Sequence, residues 1–187
     1  MGTSPSLLAN TVATTATLFA LIAVLAPFSG AHLNPVVTLA ATVRGETAHG
    51  EAAAYIAAQI VGAVVGVMAA HLMFDRAAIE LSQHTRAGFG QMFGESVATF
   101  GLVLLIGLSR GAKSHVVAAS VAAYVAGAYW FTSSTCFANP AVTIARALSD
   151  SFAGIRAADV PGFLAGQVTG GAVAVLVLGL FRVEHSR

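Results

Sequence analysis

Two short stretches of this chain place asparagine directly before proline in apolar surroundings: Ala31-His32-Leu33-Asn34-Pro35-Val36 and Cys136-Phe137-Ala138-Asn139-Pro140-Ala141. Asparagine caps a helix and proline fits its first turn, so each pair marks a helix start whose free N–H groups favour partial negative charge. The chemistry on offer there is hydrogen bonding to a neutral oxygen. Other reactive side chains are scattered. Glu95 lies in the apolar run Glu95-Ser96-Val97-Ala98-Thr99, where an acid by default signals function, with proton relay among the options. Cys136 is the single cysteine; it is either a soft ligand or simply a small residue, and it cannot form an internal disulfide. His71 and His115 fall near the ends of apolar runs, which suits an interfacial place better than a metal site. No nucleophile stands beside a base, no metal-ligand spacing occurs and no phosphate-cradling loop is present. An enzyme is therefore the least favoured class, and neither a cofactor nor a metal is expected.

The elements that must hold these residues are membrane helices. Of 187 residues, 57% are hydrophobic and 9% charged, whereas a soluble domain carries roughly 25% charged residues. A mean hydropathy of +0.81 and a net charge of +1 supply neither a soluble surface nor the basic stripe of a nucleic-acid binder. Five runs, 7–28, 51–74, 88–108, 115–131 and 160–181, approach or exceed the ~20 residues a span needs. The first is expected to stop at Pro27 and the Ser29-Gly30 pair. No Lys or Arg precedes Arg44, so this run lacks the cationic leader of a signal peptide and belongs to the fold. Segments 29–43 and 134–148, which hold the Asn-Pro pairs, are too short to cross. They read as re-entrant half-helices, since about ten residues at 1.5 Å each reach half of a ~30 Å hydrocarbon layer. Both then start near the midplane, where irregular backbone survives only inside protein or against a wet cavity. A pore is implied.

The chain repeats itself. Asn34-Pro35-Val36-Val37-Thr38 lies 105 positions before Asn139-Pro140-Ala141-Val142-Thr143, and Gln59 lies 108 before Gln167. Ala54, Ala58, Gly62 and Gly66 match Gly162, Gly166, Gly170 and Ala174, giving both final spans a ridge of small residues for close helix approach. An odd number of spans between the copies requires inverted topology. One domain over 1–187 follows, with repeat 1 at 1–86 and repeat 2 at 87–187. Two spans precede the second Asn-Pro segment and only one precedes the first, so repeat 1 is expected to lack an opening helix, either because the start is set too late or because the gene lost it. Orientation by Lys and Arg is weak. With the C-terminus inside, Arg44, Arg110, Lys113, Arg182 and Arg187 face the cytoplasm, and Arg76, Arg86, Arg146 and Arg156 face out.

The paired segments closely resemble the Asn-Pro-Ala signatures of the aquaporin, or major intrinsic protein, family, and the likeness covers nearly the whole chain. It resembles a bacterial aquaglyceroporin-like member lacking the first transmembrane helix. The resemblance implies an all-α fold of five full spans and two half-helices, in which Asn34 and Asn139 project their amides into a pore lined by both motifs (Asn34, Pro35, Val36; Asn139, Pro140, Ala141). Two helix N-termini aimed at one point carry roughly +0.5 charge each, so a cation about 5 Å away meets roughly 3 kcal/mol of repulsion at an effective dielectric of 20. Water-selective relatives place an arginine after the second signature; here that residue is Val142. The other three filter positions, carried over by their distance from each asparagine, fall on Thr14, Gly127 and Cys136. None is charged or aromatic, which implies a wider filter with weaker donors. If the register slips, the aromatics of Tyr129-Trp130-Phe131 would narrow it instead. Arg146, seven residues past Asn139, is read as a cation suiting the carbonyl end of its half-helix. By the same resemblance Glu95 accepts hydrogen bonds from the loop 134–138, while His32 has lost the acid that its loop would use.

A passive channel for small uncharged solutes is the expected function: glycerol, urea, neutral metalloid hydroxides such as arsenous acid, and water, with ions and protons excluded. The expected setting is multi-pass in a bacterial inner membrane, in contact with lipid, as a homotetramer. Two other classes stand beside it. A secondary transporter also uses inverted repeats and broken helices, but Glu95 is the only mid-span carboxylate in the sequence. A non-conducting remnant would keep the packing of the repeats with an open barrel.

Overall fold

The computed structural model describes residues 5–182, and every regular element among them is helical. Five helices are long and apolar enough to cross a membrane: α1 (Pro5–Ser29), α3 (His49–Met73), α4 (Phe89–Leu108), α5 (Ser114–Phe131) and α7 (Val160–Arg182), the last preceded by a 3-10 turn, Ala157–Asp159. Two half-helices, α2 (Pro35–Val43) and α6 (Pro140–Arg146), begin at the Asn-Pro pairs. Arg187, counted above as a cytoplasmic charge, lies outside the described residues.

Of the two stop signals read at the end of the first run, the Ser29-Gly30 pair ends the helix and Pro27 does not: α1 continues to Ser29. Proline removes a single N–H in the last turn, and helical bonding carries on across it: Gly30 N donates to Ala26 O at 3.0 Å. The stop comes at Gly30, whose φ of +71° is the left-handed C-terminal turn that glycine adopts without strain.

The two repeats pack differently. In the second, α4 lies against the small-residue ridge of α7 so closely that a methyl group on Gly166 or Gly170 would collide with the carbonyls of Met92 or Ser96. Ser96 Oγ donates to Gly166 O at 2.9 Å across this seam. Backbone contact of this kind is what holds helices together in lipid, where apolar burial supplies little. In the first repeat the same ridge, on α3, has no such partner. Nothing stands within 4 Å of a Cβ built on Gly62 or Gly66, and of α3 only Ala52 and His71 are buried among the described residues. A groove of about 660 Å³ runs along Tyr55, Ala58, Gln59 and Gly62 toward Asn139 and Val142.

At the end of the molecule holding the C-terminus of α6, the loop between α3 and α4 is laid along the loop that follows α6. Glu80 N and Ser82 N donate to Leu148 O and Ala147 O, each at 3.0 Å, and Arg156 N donates to His84 O at 2.7 Å. His71, at the end of α3, fixes the same loops from beneath, with ring nitrogens 2.9 Å from Ala77 O and 2.9 Å from Ser149 Oγ. His71 is thus a buried loop anchor at the end of its span.

Candidate functional site

Each half-helix starts with the cap that its sequence dictates. Asn34 Oδ1 accepts from Val36 N at 3.0 Å, and Asn139 Oδ1 accepts from Ala141 N at 3.0 Å and Val142 N at 3.3 Å. The amide nitrogens then cross. Asn34 Nδ2 donates to Ala138 O at 2.7 Å and Asn139 Nδ2 donates to Leu33 O at 2.8 Å, so each asparagine ties its helix to the loop of the other. One N–H of each –NH₂ is used in this way, and the second remains for a guest.

The loops that deliver the helices share an unusual backbone. Ala31, Leu33, Thr135, Cys136 and Ala138 all have φ between +47° and +59°. Gly30, Ala31 and Leu33 match Thr135, Cys136 and Ala138 at the repeat offset of 105. Left-handed residues that are not glycine cost of order 1–3 kcal/mol each and cluster at functional sites, where the surroundings hold them in place.

Glu95 supplies that hold for the second loop. Fully buried, it accepts from Phe137 N at 2.9 Å and Ala138 N at 2.7 Å, and Gln167 Nε2 donates to it at 2.5 Å. Gln167 also donates to Thr143 Oγ1 at 2.8 Å, and Thr143 Oγ1 to Asn139 O at 2.9 Å. The first repeat keeps the parallel pieces, with Gln59 Nε2 donating to Thr38 Oγ1 at 3.0 Å and Thr38 Oγ1 to Asn34 O at 3.2 Å. It has no carboxylate there among the described residues, so Gln59 Nε2 lacks the acid that Gln167 Nε2 donates to, while Gln59 Oε1 and Gln167 Oε1 are alike buried without a partner. His32 is not unpartnered for want of an acid. Its Nδ1 lies 3.2 Å from Thr38 Oγ1, and its ring meets Tyr55 at a centroid distance of 5.5 Å.

A cavity of about 250 Å³ lies where the two asparagines meet, walled by Thr14, Cys136, Val142, Tyr129 and Arg146 toward one end and by Leu18, Leu102, Ile106 and Val117 toward the other. Three of the four filter candidates, Thr14, Cys136 and Val142, border it. Gly127 does not. It is exposed on the outer side of α5, because the face of that helix turned to the cavity runs Val117, Val121, Val125, Tyr129 at intervals of four. The position assigned to Gly127 by counting from Asn139 is filled by Tyr129, two residues on. Within the motifs only the asparagines border this cavity. Pro35 and Val36 are buried behind it, Val36 against Gly171 of α7, while Pro140 opens α6 and Ala141 faces the groove along α3.

Residues 2–136 match the family model described as Major intrinsic protein. The chain belongs to the major intrinsic protein family. It is 44% identical over 177 residues to the Aquaglyceroporin AqpS of Rhizobium meliloti (strain 1021), covering 95% of this chain and 75% of that protein. It is also 36% identical over 100 residues to the Glycerol uptake facilitator protein of Bacillus subtilis (strain 168), covering 46% and 35% of the two chains. With human Aquaporin-2 the figures are 35% over 143 residues, 68% and 51%. Proteins of the family are channels and not enzymes, and this one is a multi-pass membrane protein.

Three residues around the cavity of this family member make contacts that the sequence analysis did not give them. Tyr129 donates to Thr14 Oγ1 at 3.3 Å and accepts from Arg146 Nη2 at 3.3 Å, closing a chain of polar groups across one end of the cavity. Arg146 does more than suit a carbonyl end: it borders the cavity and lies 4.3 Å over the Phe137 ring. Asn139, Val142 and Arg146 stand at i, i+3 and i+7, which is one helix face, and that spacing was the legible signal. Arg86 also lies over the Phe137 ring, 4.8 Å from its centroid. Its guanidinium donates to Gly154 O, Ser134 O, Thr135 Oγ1 and Phe152 O at 2.7 to 3.3 Å, pinning the left-handed loop to the outer loops. Burial, and then the Arg146 charge nearby, lower Arg86 to about 10, so it stays charged at neutral pH. Nothing in its local sequence sets it apart from a surface loop cation.

Proposed function

We propose that this protein is a passive channel for small uncharged solutes, with glycerol, urea, neutral metalloid hydroxides such as arsenous acid, and water as its cargoes, and with ions and protons excluded. The supporting observation is the crossed pair Asn34 and Asn139: two capped helix starts share one cavity, each amide with a donor to spare. A hydroxyl or carbonyl oxygen exchanges water for those donors, while a cation meets two positive helix ends. Two relatives carry glycerol or aquaglyceroporin in their names, which favours polyol-sized cargo over water alone. A bacterial inner membrane fits the Rhizobium relative. The broadly exposed apolar faces of α1 and α3 leave surface for the neighbours of a homotetramer.

Stopped-flow light scattering on proteoliposomes tests the proposal. Glycerol and urea should equilibrate faster than in empty liposomes, in proportion to reconstituted protein and without saturation at millimolar solute. Flux equal to the empty control would instead favour the non-conducting class, to which the open groove beside Asn139 lends weight. Saturable uptake driven by a pH gradient would favour a transporter.

A further inference from the structure

We propose that Arg146 is the fixed charge of this channel's constriction, acting one helical turn beyond Val142 and held in place by Tyr129 and Phe137. This rests on the channel reading above. Four observations converge on it. Arg146 repeats the face of Asn139 and Val142, so it looks into the same cavity. Its Nη2 donates to Tyr129 Oη, which in turn donates to Thr14 Oγ1, so the guanidinium has a fixed seat on the opposing wall of α5 and α1. The Phe137 ring lies beneath the guanidinium carbon at 4.3 Å, a cation–π contact that restrains its plane. Finally, Nη1 is buried with no hydrogen-bond partner among the described residues. A buried donor is costly to leave unmade, and because Arg146 borders the cavity a small turn of its side chain would bring Nη1 to a solute oxygen there.

The ligand class follows from the donor. A guanidinium N–H donates only, so it selects solutes that present acceptor oxygens, such as polyols, urea and neutral oxyacids, and it repels cations. Arg86 is not a second copy of this site. All its guanidinium nitrogens are bonded to the loops, and its own contact with the Phe137 ring, at 4.8 Å, helps to hold that ring. The field of Arg146 also reaches the two asparagines, seven residues or about 10 Å back along α6, where it adds to the helix dipoles.

Arg146→Gln and Arg146→Lys are compared with the natural chain in proteoliposomes, measuring glycerol flux and proton leak on the same preparation; Lys113→Gln, an exposed charge at the start of α5, is the control. Arg146→Gln should raise the ratio of proton leak to glycerol flux by about tenfold, Arg146→Lys should restore most of the exclusion, and the control should match the natural chain. An unchanged ratio in Arg146→Gln, with glycerol still passing, overturns the proposal. Access is read separately in the double variant Arg146→Cys, Cys136→Ala. A small cationic thiol reagent should label it from the aqueous side and excess glycerol should slow the labelling. No labelling of folded protein also overturns the assignment. If the natural chain passes no glycerol yet the cysteine is labelled, the channel reading fails while the position of Arg146 stands.

Discussion

Val36 is where the two signatures differ, and its surroundings show how the difference is absorbed. A Cβ on Gly171 would run into Val36 Cγ1, so the larger side chain on α2 faces the smallest on α7. At the repeat offsets the matching pair is Ala141 and Ala63, both bordering the groove along α3. Bulk lost on one helix is regained on the other. Gly171→Ala should therefore destabilise the protein by about 1–3 kcal/mol through overpacking, and Val36→Ala in the same chain should recover most of that loss. Thermal midpoints in detergent for both single variants and the double give the coupling, which should exceed about 0.5 kcal/mol; additive effects would mean that the two side chains do not meet. The helix caps were readable from sequence because a cap is a local event, settled by Asn-Pro and its next few residues. Gly127 was misassigned because counting back from Asn139 takes the loop 132–138 at a fixed length, and only the face of α5 shows that Tyr129 is the residue turned inward.

At the scale of elements, the spans and half-helices were legible because lipid leaves few ways to satisfy a backbone, and apolar runs with caps reveal them. The partner of each ridge was not legible. The ridges of α3 and α7 look alike in sequence, yet α7 is covered by α4 while α3 faces a groove among the described residues. The second repeat shows what such a groove accepts. Glu95 reaches over from α4 to accept from two loop N–H groups and from Gln167 Nε2, and among the described residues Gln59 Nε2 has no carboxylate in the matching place. A span fused before α1, with a glutamate level with Gln59, should seat on α3 and engage the N–H groups of His32 and Leu33. Each buried unpaired backbone group costs several kcal/mol in hydrocarbon, so the fused chain should resist protease longer and yield more monodisperse protein in detergent than the chain starting at Met1. Equal resistance, or equal gain from the same span with glutamine in place of glutamate, would show that the carboxylate is not what the loop lacks.

Across the whole molecule, the groups that would oppose a cation in the proposed channel are distributed over both repeats. The starts of α2 and α6 meet at the asparagines, and together they raise roughly 3 kcal/mol against a cation about 5 Å away, with no help from position 142. Arg146 adds a full charge from the end of α6. Dehydration works in the same direction, because the wall beyond the asparagines is Leu18, Leu102, Ile106 and Val117, which offer an ion no oxygen in place of its water. A neutral polyol loses less water and regains part of its hydration from two amides and one guanidinium nitrogen. The natural chain should therefore pass glycerol with no measurable ionic current, although valine stands beside its second signature. Planar-bilayer recording under a potassium gradient, beside glycerol flux from the same preparation, measures both. A steady ohmic current that scales with protein would place the ion path outside the asparagine cavity, and the groove along α3 would be the first place to look, since Asn139 and Val142 border it as well.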